Sequence, residues 1–122
     1  MELSERERLF FALRPQALPA YLALREKLLG NAGVTITVHK TQISFYTRRM
    51  FACVSTPPVK RLGEMAVMVS FVLPWPLASG RLFGRADGPG KHTCHVTLSG
   101  AEQLDEELTG WLEEAYMFAC RP

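Results

Sequence analysis

The first apolar positions recur at helical spacing. Leu9, Phe10 and Leu13 follow Ser4-Glu5-Arg6-Glu7, where a serine and a glutamate stand at capping-box spacing, so a short helix lined by those three residues is expected. Pro15 cannot continue it. Pro19 suits the first turn of a second helix, where no amide hydrogen is needed. Leu22, Leu24, Leu28 and Leu29 carry that helix to a stop at Gly30-Asn31.

From Val34 the period changes to two. Val34, Ile36 and Val38 alternate with Thr35, Thr37 and His39, and Ile43, Phe45 and Thr47 alternate with Ser44 and Tyr46, which predicts half-buried strands. Phe51 to Val54 makes a third strand after an Arg48-Arg49 turn, ended by Pro57-Pro58. A loop is expected from Lys60 to Gly63. The apolar run Met65 to Leu73, bounded by Gly63 and Pro74, reads as a buried central strand. Leu77 to Lys91, with four glycines and Pro89, reads as a long irregular loop. His92 to Leu98 alternates again. Ser99 to Glu102 has capping-box spacing ahead of a helix from Leu104 to Phe118, with Leu104, Leu108, Trp111, Leu112, Ala115 and Phe118 on its inner stripe.

Helices and strands are therefore segregated along the chain, which argues for an α+β fold. The expectation is an antiparallel sheet of about five strands, two N-terminal helices and a C-terminal helix packed on it, as one domain over residues 1–122. A chain of 122 residues can bury a real core without metal or disulfide staples.

Composition narrows the function classes. Hydrophobic content of 48% with 21% charged residues fits a globular protein rather than a disordered one. The net charge of +2 lacks the sharp basic bias of a dedicated nucleic-acid domain. Cys53, Cys94 and Cys120 are odd in number and widely spaced, which suits reduced thiols in the cytoplasm better than a secreted disulfide scaffold. The N-terminus lacks the form of a signal peptide, and no apolar stretch reaches the ~18 residues of a membrane span.

Candidate chemistry gathers at a few places. His92, Cys94 and His95 are close in sequence, but on a strand His95 faces away from the other two, so no single metal site is expected. The same geometry parts Cys94 from His95 as a catalytic pair, while Cys53 with His39 needs their strands to pair face to face. His39, Lys40, Gln42, Arg48 and Arg49, with Arg81, Arg85 and Lys91 from the long loop, supply cations for an anion-binding cleft or simply a solvated sheet edge. Tyr46, Trp75 and Phe83 lie among those cations, as single-stranded nucleic-acid sites require, while Phe71 reads as core. No phosphate-cradling glycine motif is present.

Lys40-Thr-Gln-Ile-Ser-Phe45, Phe51-Ala52, His92-Thr-Cys-His-Val-Thr-Leu98, Asp105-Glu-Glu-Leu108, Gly110-Trp-Leu112 and Ala115-Tyr116 together resemble the domain of unknown function 5655 family. The resemblance spans about residue 20 to residue 119, with no family motif from Pro74 to Lys91. It implies a small bacterial α+β domain in the cytoplasm and supplies no catalytic residues.

The leading expectation is a non-enzymatic binding module for a small anionic or amphipathic ligand, or for a protein partner. The ligand would sit between the long loop and the strands, touching His39, Lys40, Arg48, Trp75, Arg81, His92 and His95. No cofactor, metal or membrane is implied, and nucleic acid is not favoured. Homodimerisation through an uncovered apolar sheet face is expected on the ground that large apolar patches are seldom left exposed. A nucleic-acid-associated module is the first alternative, and a hydrolase or transferase using His92 or His95 the second.

Overall fold

A computed structural model describes residues 2–56, 63, 65–86 and 90–122. The capping box at Ser4 and Glu7 forms as expected and opens α1, Glu5–Phe10. The apolar positions behind it behave differently from the sequence reading. Leu9 and Leu13 are exposed, and the residue that turns into the core is Phe11, at the helix C-cap. A 3-10 turn at Pro15–Ala17 leads into α2, Leu18–Leu29, which buries Tyr21, Leu24, Arg25 and Leu28. Leu22 of the predicted stripe is exposed.

Six antiparallel strands follow: β1 Thr35–Val38, β2 Ile43–Tyr46, β3 Met50–Ser55, β4 Val67–Leu73, β5 Phe83–Ala86 and β6 His92–Leu98. Their order across the sheet is β1-β2-β3-β4-β6-β5. Five occupy the predicted stretches. The sixth, β5, lies in what the sequence presents as a loop and pairs along the outer edge of β6. The predicted strand end at Pro57-Pro58, the loop from Lys60 and the role of Pro89 fall outside the described residues, as do the side chains of Phe83 and Arg85.

The C-terminal helix α3, Glu106–Cys120, starts later than its capping-box reading suggests. Ala101–Gln103 forms a 3-10 turn instead, and Asp105 is the cap, its carboxylate accepting from the Leu108 N–H at 3.0 Å. Of its expected inner stripe, Leu108, Leu112 and Ala115 are buried and Trp111 stacks on Phe71 with ring centroids 6.3 Å apart, while Leu104 lies ahead of the helix and Phe118 is half-buried. Tyr21 of α2 reaches Phe45 on the same sheet face, so the helices share one side of the sheet and one core.

The β2–β3 ladder carries a bulge. Phe45 pairs with Ala52 but Tyr46 pairs with Met50, leaving Phe51 as the extra residue on β3. A bulge of this kind lets two successive side chains turn to one side. Phe51 accordingly meets the Tyr116 ring of α3, with centroids 5.5 Å apart.

On the far face, strand alternation places Thr35, Thr37, Tyr46, Cys53, Ser55, Ser70, Thr93, His95 and Thr97. Met68 and Val72 share this face with them, and the helices cover the opposite, apolar face.

Candidate ligand site

Register brings the β2–β3 turn, the end of β4 and the start of β6 to one end of the sheet, since Ala52 pairs with Phe71 and Leu73 with His92. The last turn of α3 arrives at the same end. Between them lies a cavity of about 500 Å³ lined by Arg49, Met50, Val72, Lys91, Phe118, Ala119, Arg121 and Pro122. That volume falls within the range of small-molecule sites.

Each cation has a local reason to be there. The β2–β3 turn is closed by the Thr47 N–H donating to Arg49 O at 3.0 Å. Arg49 then reaches across to α3, whose last turn carries no basic residue of its own. Its Nη1 donates to Arg121 O at 2.6 Å and to Ala119 O at 3.4 Å, placing a positive charge at the negative end of the helix. Arg121 leaves the helix in extended geometry and lays its guanidinium 5.5 Å from the Phe118 ring centroid, a cation–π contact. Lys91 follows Gly90, whose φ of +68° turns the chain into β6. Met50, Val72 and Phe118 supply the apolar floor. No acidic side chain is among the described residues that line it.

None of the seven residues expected to touch a ligand lines this cavity, although Arg48 and His92 each adjoin a residue that does. His39 and Lys40 sit in the β1–β2 turn, closed by the His39 N–H donating to Gln42 O at 2.8 Å. That turn lies at the opposite end of β2 from Arg48. Trp75 is exposed beyond the end of β4. Arg81 is held elsewhere, with Nη1 at 2.9 Å from Asp105 Oδ2 and 3.0 Å from Glu107 Oε1. Its Nη2 donates to Gln103 O at 3.0 Å, and its guanidinium lies 5.9 Å from the Trp111 ring centroid. Bonds to Asp105 and then Glu107 raise the Arg81 pKa further, while the Leu108 N–H and then Arg81 lower that of Asp105. Arg81 thus clasps the segment ahead of β5 to the start of α3.

His92 and His95 face opposite sides of β6, as alternation requires. His95 Nδ1 lies 2.6 Å from Ser70 Oγ on β4, and Cys53 stands next to Ser70 on β3. A Ser–His contact has the parts of a nucleophile and its base. Here Ser70 sits in the middle of β4, where the surrounding backbone N–H groups serve two strand ladders and offer no oxyanion hole. Burial raises the Cys53 pKa, partly opposed by its hydrogen bond with Ser70, and burial also raises that of Cys94. Both thiols are thereby kept from the thiolate form that nucleophilic chemistry needs. Ser70→Ala should cost about 0.5–1.5 kcal/mol, the worth of one cross-strand hydrogen bond, as read by urea unfolding. Among the described residues, no three His, Cys, Asp or Glu side chains gather to hold a metal ion.

Residues of the cavity that the sequence did not single out as a site are Met50, Val72, Phe118, Ala119, Arg121 and Pro122. Arg121 carried the one legible signal, a cation directly after the last apolar position of a helix.

The family model of DUF5655, described as a domain of unknown function, matches residues 8–119. No curated protein and no solved structure matches the chain.

Proposed function

The chain belongs to the DUF5655 family, whose description assigns no reaction, and from the cavity at the end of α3 we propose that it is a non-enzymatic binding module of the bacterial cytoplasm for a small amphipathic anion. One observation carries this reading: Arg49, Lys91 and Arg121 rim an apolar floor, and no acidic side chain is among the described residues that line it. Such a lining favours a ligand with a negative head and an apolar body. The apolar part leaves water on Met50, Val72 and Phe118, and the head meets guanidinium groups whose planar N–H arrays suit oxyanions. Strand pairing around Ser70 favours binding over catalysis. Three unpaired thiols suit a reducing compartment. Among the described residues no helix is long and apolar enough to cross a membrane.

The test is titration with 8-anilinonaphthalene-1-sulfonate, a fluorescent amphipathic anion. Saturable binding to the folded protein is expected. The double variant Lys91→Glu/Arg121→Glu should bind at least about tenfold more weakly, a loss of about 1.4 kcal/mol. Circular dichroism should show both proteins folded. Absence of a saturable signal, or equal affinity in the charge-reversed protein, removes the proposal. Short oligonucleotides added at low salt test the nucleic-acid alternative, since phosphate-backbone binding would be steeply salt-dependent.

A further inference from the structure

β1 ends the sheet. It pairs with β2 on one side, and no described strand lies on the other. The bond from the His39 N–H to Gln42 O sets the phase of that ladder. In an antiparallel pair, alternate residues exchange main-chain bonds with their neighbour, and those between them turn theirs away. His39, Thr37 and Thr35 therefore bond to β2. Ile36 and Val38 turn their N–H and C=O groups outward from the sheet. No main-chain partner meets these groups among the described residues.

The space beside them is open. A groove of about 510 Å³ runs between β1 and the start of α1, where Ser4 and Arg6 form part of its other wall. Residues 34–38 line it without a gap. A hollow on one face of a strand would meet every second residue, so this one follows the edge. β1 itself has neither the charge nor the proline nor the bulge that commonly keeps an edge from pairing.

The sequence of that edge says what fits it. Residues 34–38 read Val-Thr-Ile-Thr-Val, the same in both directions. Two antiparallel copies related by a two-fold axis at Ile36 set Ile36 against the partner's Ile36. The same axis sets Val34 against the partner's Val38, and Thr35 against the partner's Thr37. Every pair then matches a β-branched residue with its own kind on one face, a favourable cross-strand arrangement. The axis also falls on a residue whose main-chain groups face outward. In this orientation Lys40 lies at the far end of the paired strands from the partner's Lys40, whereas parallel pairing would bring the two charges together.

We infer that β1 is a homodimerisation edge, which joins two copies of this chain through main-chain bonds into one continuous sheet. The inference is independent of the cavity at the end of α3. A strand this short buries less than the roughly 800 Å² per partner of a standard interface, so the dimer is reversible.

The test is sedimentation velocity on the whole chain from about 1 μM to about 1 mM. The average mass should rise towards that of a dimer. Over the same range, amide exchange at Ile36 and Val38 should slow by about tenfold or more. Thr35 and Thr37 are exposed, so Thr35→Lys/Thr37→Lys spares the core while setting like charges opposite each other. That variant should remain folded by circular dichroism and stay monomeric. Mixed in equal amounts with Thr35→Glu/Thr37→Glu, it should dimerise again, because each lysine then faces a glutamate.

A monomer across the whole range overturns the inference. So does a dimer that the lysine variant leaves intact, or one in which the Ile36 and Val38 amides exchange as fast as in the monomer, since either places the interface elsewhere. A chain that stays monomeric while a synthetic peptide of residues 33–39 protects those amides accepts a free strand but not a folded copy, which also overturns it.

Discussion

Replacing Arg25 with methionine is expected to destabilise the protein by about 3–5 kcal/mol, among the largest effects of any single change. Glu7 and Arg25 are buried together, with Arg25 Nε at 2.7 Å from Glu7 Oε2 and Nη2 at 3.3 Å from Oε1. The Tyr21 hydroxyl donates to Glu7 Oε2, and the Ser4 N–H donates to Oε1 at 2.9 Å. Arg25 also holds Glu2 O at 2.9 Å. One carboxylate thus caps α1, pins α2 through two side chains, and helps tie down the chain ahead of α1. Removing Arg25 leaves that carboxylate in the interior with its main counter-charge gone. The measurement is chemical unfolding by urea, with thermal melting as a second readout. A drop in Tm on the order of 10–20 °C is expected. The double variant Glu7→Leu/Arg25→Met should recover much of the loss, because well-packed apolar groups can replace a buried pair. An Arg25→Met protein as stable as the parent would show that the pair is not holding the two helices together.

The same group sets an acid limit. Burial alone would push the Glu7 pKa up, but the bonds from Arg25, Tyr21 and Ser4 outweigh it, and the net value lies below the usual 4.5. A carboxylate with a depressed folded pKa binds its proton more readily when unfolded. Its contribution is therefore complete above the unfolded value and is lost as pH falls through the folded one. Stability should be nearly flat from neutral pH to about 5 and then decline, and Glu7→Gln should flatten the decline. Burial and the Glu7 bond raise the Tyr21 pKa, so its hydroxyl remains the donor throughout this range.

These two residues also show what the sequence could and could not reveal. The spacing of Ser4 and Glu7 made the capping box legible. Nothing in a linear pattern told that the glutamate would also meet Tyr21 and Arg25, which lie one helical turn apart on α2. An apolar count favours Leu9 and Leu13 for the inside, yet the 3-10 turn at Pro15–Ala17 orients α1 so that Phe11 enters the core and those leucines face water. The strands were legible wherever alternation met β-branched or aromatic residues. The strand Phe83–Ala86 escaped because glycine and arginine carry no such signature, and its existence depends on an edge that β6 offers. The cavity was not legible for a related reason. Cations at 49, 91 and 121 are far apart in sequence, and only the β4–β6 register and the arrival of α3 bring them to one cavity. His39, Lys40 and Arg48 are close in sequence but divided by the length of β2.

Phe71→Ala is the second change with a large expected effect, a loss of about 3–5 kcal/mol. Phe71 is fully buried on β4, between Ala52 of β3 and Cys94 of β6 in the ladders. Its ring lies 20° from coplanar with Trp111, so it couples the middle of the sheet to α3. Truncation removes the transfer energy of a large side chain and leaves a cavity that paired strands cannot collapse to fill. Trp111→Ala should cost less, because Trp111 is only half-buried and covers the core from its rim. The order of these two losses is the informative result. If both variants unfold at the same urea concentration, α3 is held by Trp111 as firmly as by Phe71, and the centre of the sheet is not the anchor. If Phe71→Ala unfolds first, its effect should also reach the ligand cavity, because α3 brings Phe118 and Arg121 to it. Anilinonaphthalene binding by Phe71→Ala, measured where the variant is still folded, should then weaken with no cavity residue changed.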